Sequence, residues 1–321
     1  MFVLDKSGSM RCGYGEDDGG DPSSCSTAVP NRKWDSLRSV VETVVTEFDA
    51  SFNLGAKLFP QWDKPDVSPN GPVCGVAGGV EAGVTTTGDG AAVLAAIPDE
   101  DDIFGGTPVG EGMDEAIAHL QGLDEVAFPG SRNIILVMDD EPTCYTLATD
   151  PSFPNEVAEA IGLAAEPPEN SNANPNDDIV PISTYVVGID FEGGSGILSS
   201  FAAAGGTGFG VFDAQDTSDL EQAMATIAGS SVSCTVDIDV APPFPASVEI
   251  DILTETGTNT YGPLGTTTMD CPDTGDGFVY DFSSTPNTIT LCNQACTDLK
   301  DSVSSTVIDY DVDVKYFCTT G

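Results

Sequence analysis

Met1-Phe2-Val3-Leu4-Asp5-Lys6-Ser7-Gly8-Ser9 opens the chain as an apolar run that stops at an acid and two hydroxyls. In extended backbone the side chains at i, i+2 and i+4 share one side, so the Asp5 carboxylate and the Ser7 and Ser9 hydroxyls can converge on one point. Gly8 has no Cβ to resist the turn that brings Ser9 there. Three hard oxygens at the end of an apolar strand suit a hard cation. Asp and Ser after a strand are also ordinary caps for a following helix, so the rest of the chain must decide between the two readings.

Downstream, strand and helix signals alternate. From Asn31 to about Phe52 the apolar positions Trp34, Leu37, Val41, Val44, Val45 and Phe48 recur at helical spacing. Leu54 to Phe59 reads as a short strand stopped by Pro60, Gly79 to Val84 as another, and Gly90 to Ile97 as a helix. The acidic run Asp99–Asp102 leads into Phe104-Gly105-Gly106-Thr107-Pro108, where Thr107 and Pro108 mark the first turn of a helix over Val109 to Leu120. The single histidine, His119, sits late in that helix, where a structural role is expected. Asn133 to Met138 is apolar on both faces, as a central parallel strand should be, and ends at Asp139-Asp140. A helix around Asn155 to Ala165, a strand at Val180 to Ile189, a helix at Gly196 to Ala204, a strand at Gly208 to Phe212 and a helix at Ser218 to Ala228 follow. This alternation predicts an α/β fold, a doubly wound, mostly parallel sheet flanked by helices, over residues 1–230.

From about Ser231 the composition changes. Thr, Val, Ile and Asp alternate in Cys234–Val240, Val248–Leu253, Phe278–Phe282, Thr288–Leu291 and Val307–Val314. Period-two patterning with turn residues between predicts a smaller C-terminal antiparallel β domain over residues 231–321, with a single helix at Cys296 to Val303. Asp273-Thr274-Gly275-Asp276-Gly277 misses the EF-hand spacing and reads as a plain turn.

The chain carries 52 Asp and Glu against 10 Lys and Arg, a formal net charge of -42. Such a field repels nucleic acid and anionic membrane, concentrates cations and keeps the protein soluble and monomeric. No apolar stretch is long enough for direct membrane insertion. Nine cysteines without Cys-x-x-Cys spacing, beside one histidine, argue against a structural zinc site and for disulfides in an oxidising compartment. The odd count leaves at least one thiol without an intrachain partner. Cys12 and Cys25 bound a polar loop that they could close. Cys234 and Cys318 lie at the opening and closing strands of the β domain, a natural pair if those strands lie side by side; the other connectivities stay open. Met1 already falls inside what should be a buried central strand and no signal peptide precedes it. We therefore expect an export signal or anchor upstream and an extracellular, cell-surface or periplasmic location.

Asp5-x-Ser7-x-Ser9 after the first strand, Gly105-Gly106-Thr107-Pro108 before a mid-domain helix, and Asp139 after a buried strand follow one another in the order of a metal-ion-dependent adhesion site. Over roughly residues 1–230 the chain resembles a von Willebrand factor type A domain. In a doubly wound sheet, loops from distant parts of the sequence meet where strand order reverses, so the three pieces can share one crevice. The resemblance implies a metal site made by Asp5, Ser7, Ser9, Thr107 and Asp139. Ser7 and Ser9 would bind directly, Asp5 and Asp139 largely through water, and Thr107 in either way. Two carboxylates and three hydroxyls suit Mg²⁺, with Mn²⁺ or Ca²⁺ as alternatives. Where relatives usually have glycine after the second aspartate, this chain has Asp140, which puts a Cβ into that turn.

With no phosphate loop, no Gly-x-Ser-x-Gly elbow and one histidine, the common hydrolase and nucleotide chemistries lack their parts. The chain reads as a binding module and not an enzyme. The resemblance implies adhesion to a protein partner through an acidic residue on the metal. Two alternatives remain: an intracellular type A domain partnering an ATPase, and a structural surface protein whose metal stabilises the fold.

Overall fold

Phe2, Val3 and Leu4 of strand β1 (Phe2–Asp5) are all buried, which an apolar run can satisfy on both its faces only inside a covered sheet. The computed structural model describes residues 1–16, 25, 32–49, 51–61, 74–85, 90–98, 103–128, 130–144, 153–166, 180–191, 196–238, 245–254, 256–264, 271–272, 274–281, 287–304 and 312–316. The chain divides into two compact units, Met1–Ala223 and Met224–Gly321. Among the described residues no helix is long and apolar enough to cross a membrane.

The first unit is α/β. Strands β2 (Ala56–Phe59), β3 (Arg132–Met138), β4 (Ile182–Ile189) and β5 (Phe212–Ala214) join β1 in a parallel sheet of order β2-β1-β3-β4-β5. The chain steps from β1 to β2 on one side and returns to place β3 on the other. Strand order thus reverses between β1 and β3, and the loops leaving their carboxyl ends frame a crevice.

The helices are α1 (Lys33–Phe48), α2 (Gly90–Ala96), α3 (Val109–Gln121), α4 (Phe153–Ala165), α5 (Gly196–Ala204) and α6 (Thr217–Ser231). Val3, Ile134, Leu136 and Val186 of the sheet form one buried cluster with Met113 of α3, Ile161 of α4 and Phe201 of α5. Gly112 lets α3 approach closely, since a Cβ there would come 2.7 Å from the Phe59 ring. The alternate residues Phe2, Leu4, Val137 and Val187 point away from that cluster and are equally buried, so the sheet is covered on both faces. Trp34, Leu37 and Val41 of α1 and Leu220 of α6 are buried outside that cluster. A contact of 2.9 Å between Ser36 Oγ and Thr217 Oγ1 ties these two helices together.

Two strand expectations need correction here. Gly79 to Val84 forms no strand; only Ala82 bridges, antiparallel, to Ala56. The reason is Lys57, a buried cation on β2 whose ammonium donates to the carbonyls of Ala77 and Gly79, each at 2.8 Å, and to the Glu81 carboxylate at 3.2 Å. Backbone bent around that charge, with Gly79 at φ 78°, cannot run as a ladder. The last strand of the sheet also starts later than expected, at Phe212 instead of Gly208, because Gly206 and Gly208 at φ 71° and 75° break the extension.

The second unit holds two three-stranded antiparallel sheets. One has the order β6 (Thr235–Ile238), β10 (Asn287–Cys292), β9 (Gly277–Asp281); the other β11 (Val312–Tyr316), β7 (Val248–Thr254), β8 (Gly257–Tyr261). Helix α7 (Gln294–Ser304) packs against β7, β9 and β10. The expected Cys234–Cys318 bridge is not formed. The opening strand β6 and closing strand β11 belong to different sheets, and Cys234 bonds Cys296 in the first turn of α7. Cys271 bonds Cys292; Cys318 lies outside the described residues. Of the turn at residues 273–277, Asp273 is also outside them, while Asp276 Oδ1 accepts the backbone N–H of Gln294 at 3.2 Å and so caps α7.

Asp298 of α7 is the polar anchor of this unit. Although buried, it accepts hydrogen bonds from Asn259 Nδ2, Tyr261 Oη and, at 2.7 Å, Gln294 Nε2. Burial pushes its carboxyl upward, but the three donors outweigh burial and hold it below the usual range. A depressed carboxyl contributes stability above its unfolded pKa, about 4, and loses it as pH falls through the folded value. Asp298→Asn should therefore cost about 2 to 3 kcal/mol at neutral pH. The gap from wild type should close as the medium is acidified below about pH 4. Paired calorimetric melts at several pH values check this, because the self-repulsion of the acidic surface cancels in the difference; a gap that ignores pH would contradict it.

Candidate metal centre

The crevice between β1 and β3 gathers three loops. Asp5 ends β1 and is fully buried; its Oδ1 accepts the backbone N–H of Ser7 at 2.8 Å. The chain then turns through a 3₁₀ segment, Gly8–Arg11, which brings Ser9 back. Ser7 Oγ and Ser9 Oγ lie 3.0 Å apart, and Ser9 Oγ donates to Asp139 Oδ1 at 2.8 Å. Asp139 follows β3, 130 residues further along. Two hydroxyls and a carboxylate thus form one continuous chain, with Asp5 joined through Ser7.

Thr107 is buried and is held next to this chain by backbone. Gly8 N–H donates to Gly105 O at 3.0 Å and Phe104 N–H to Lys6 O at 3.1 Å. Gly105 adopts φ 91°, a left-handed geometry that glycine alone takes without strain. The Thr107 N–H donates to Thr143 Oγ1 at 3.0 Å, four residues past Asp139. The loop carrying Thr107 is therefore strapped to both of the other loops. Pro108 caps α3, which begins at Val109.

Asp140 costs the turn nothing. Among the described residues only Asp190 and Asn293 are non-glycine residues with positive φ, so the position after Asp139 does not call for glycine's freedom. The Asp140 Oδ1 instead accepts the next N–H, that of Glu141, at 2.6 Å.

Two side chains at the crest escaped sequence reasoning. Lys33, the first residue of α1, is buried, and its ammonium lies 3.2 Å from Asp139 Oδ2 and 3.4 Å from Asp190 Oδ2. Asp190 follows β4 and also accepts the Gly15 N–H at 2.7 Å. Both left a trace in the chain. Lys33 shares the helical stripe of Leu37 and Val41, where a cation has to find buried partners, and Asp190 stands after a strand just as Asp139 does.

The electrostatics follow from burial. Asp5 is pushed well above the carboxylate range, first by desolvation and then by the nearby charge of Asp139, against the N–H of Ser7. Asp139 is raised to about 6 by desolvation, with Lys33 and Ser9 pulling it back. Desolvation would lower Lys33, but the two carboxylates facing it prevail and its ammonium is held more firmly than usual.

This donor set fits a hard divalent cation. Asp5 Oδ2 is buried without a hydrogen-bond partner, a costly arrangement unless a cation or an ordered water meets it. Beside it stand two serine hydroxyls and a second carboxylate, all oxygen. Among the described residues no three His, Cys, Asp or Glu side chains converge as a metal-binding group, so a site here depends on the hydroxyls. His119, by contrast, is committed to structure: its Nε2 accepts the Val84 N–H at 3.1 Å.

Two disulfides border the crevice. Cys12–Cys25 closes the loop after Ser9, and Cys74–Cys144 ties the loop after Asp139 to the segment after β2. With the two in the second unit, these four bonds place the protein in an oxidising, non-cytoplasmic compartment.

No protein-family model matches the chain, and no curated protein matches it. Among solved structures it is similar to the PilB minor pilin from Streptococcus sanguinis, with a TM-score of 0.40 and 15% identity over 70% of this chain and 59% of that one.

Proposed function

We propose that the first unit is a von Willebrand factor type A-like, doubly wound module. Its crevice holds a divalent cation, Mg²⁺ or a close substitute, and uses it to bind a partner protein through an acidic side chain. The observation that carries this reading is the chain Ser7 Oγ, Ser9 Oγ, Asp139 Oδ1 beside the unpartnered Asp5 Oδ2. Ser7, Ser9 and Asp139 would hold the ion, with Asp5 and Thr107 completing the set. When bound, the ion supplies an electrophilic centre able to take a carboxylate oxygen. The chain's own part is to fix the two hydroxyls at the end of β1, orient Asp139 through Ser9 and Lys33, and exclude bulk water from Asp5. This is binding rather than catalysis, and we place the protein outside the cell, secreted or anchored at the surface.

The disulfides disfavour an intracellular partner of an ATPase. A structural reading retains one specific support: Lys33 already pairs with Asp139, so the crest could be balanced internally with its loops simply locked. Surface plasmon resonance against extracellular proteins, run in Mg²⁺ and then in EDTA, separates the two. Adhesion predicts capture that chelation erases and that a soluble acidic peptide competes away. If chelation only lowers the melting temperature and leaves bound partners in place, the structural reading stands.

A further inference from the structure

Among the described residues, Lys33 is the one ammonium that the structure pairs with a candidate cation ligand. Its backbone N–H is fixed by Cys12 O at 2.9 Å, so α1 begins at the rim of the crevice. Its side chain is 7% exposed, and its Nζ spans Asp139 Oδ2 and Asp190 Oδ2. Asp190 is itself held by Gly15 N–H, which donates to the same Oδ2, and by its own backbone N–H, which donates to Ala214 O, both at 2.7 Å. The cation is thus anchored by backbone and by two carboxylates, and cannot simply swing into water.

We infer that Lys33, held between Asp139 and Asp190, is a built-in counter-cation that weakens divalent-ion binding at the Ser7–Ser9–Asp139 crest and leaves the bound ion under-neutralised, which favours an anionic partner group. This rests on the cation reading above and adds a residue to it. The physical ground is charge. Asp139 offers one oxygen to Ser9 and the other to Lys33, so part of its attraction for an ion is already spent. An ammonium in direct contact with that carboxylate also repels an arriving dication, in a site too dry for solvent to screen the repulsion well. Removing the ammonium should restore the full charge of Asp139 to the ion. The ion would then be held more tightly and would need an outside carboxylate less.

The test uses the full chain, stripped with EDTA and titrated calorimetrically with Mn²⁺, as wild type, Lys33→Met and Lys33→Gln. Lys33→Gln keeps an N–H for Asp139 while removing the charge, and so protects the comparison if the apolar variant fails to fold. Both variants should bind Mn²⁺ at least tenfold more tightly than wild type, and Mn²⁺ should raise their melting temperatures by more. Binding by the variants alone, with none by wild type, overturns the cation reading for the native chain and with it the tuning role of Lys33. Equal or weaker binding in a folded variant, beside measurable binding by wild type, overturns the role of Lys33 and leaves the cation reading intact. No binding by any of the three proteins overturns both.

Discussion

Ser7→Ala combined with Ser9→Ala is expected to lower Mg²⁺ or Mn²⁺ affinity by at least about a hundredfold, a loss outer-shell changes alone reach at a metal site. Both hydroxyls are proposed as direct ligands, and nothing else in the first turn after β1 can replace them: Gly8 has no side chain and Lys6 carries the wrong charge. The folded state should survive. Ser9 now donates to Asp139, and losing a bond to a buried carboxylate costs about 1.5 to 3 kcal/mol. Lys33 continues to hold the other oxygen of Asp139. In a unit of this size that corresponds to a fall of roughly 3 to 12 °C in the metal-free melting temperature. Titration calorimetry and a melt in EDTA, on one preparation, read the two quantities separately. A double variant that still binds within threefold of wild type would remove the hydroxyls from the site and the adhesion reading with them.

Cys74→Ser with Cys144→Ser should produce the largest loss of stability in the first unit. The bond closes a loop with a sequence separation of 70, for which the loop-entropy model gives about 4 kcal/mol, or roughly 8 to 16 °C. Cys12–Cys25, with a separation of 13, should contribute about 1.5 kcal/mol less on the same scale. The longer bridge also has a local effect. Cys144 lies next to Thr143, whose hydroxyl accepts the Thr107 N–H, and closely follows Asp139. Opening the bridge should therefore loosen two of the three loops at the crest and weaken cation binding as well as lower the melting temperature. Melts of each cysteine pair variant against wild type, under non-reducing conditions, give the order. If the shorter bridge matters as much as the longer one, loop entropy is not what governs here.

Parts of this architecture were open to reading in the chain because a single local force decides them. Ile134, Leu136 and Val137 are apolar on both sides of a strand, and only a sheet covered on both faces buries them all. The stripe Trp34, Leu37, Val41 announces α1 for the same reason. Strands resting on weaker patterning were displaced or missed. Gly257–Tyr261 is Thr- and Asn-rich and mostly exposed, so as an outer strand it shows no apolar alternation. The stretch from Gly79 to Val84 looked extended, but the Lys57 ammonium, distant in sequence, donates to the Gly79 carbonyl and the Glu81 carboxylate.

By itself the sequence determined the kind of element along most of the chain, the separation of an α/β region from a β region, and the oxygen-rich stretches at Asp5, Thr107 and Asp139, since periodicity, turn chemistry and side-chain type act over a few residues. Only the tertiary structure decided which distant groups share space. It set Ser9 against Asp139, brought Lys33 between Asp139 and Asp190, and joined Cys234 to Cys296 instead of Cys318. The reason is that a buried charge or a thiol takes the neighbour that strand order delivers, and strand order arises from packing the whole sheet.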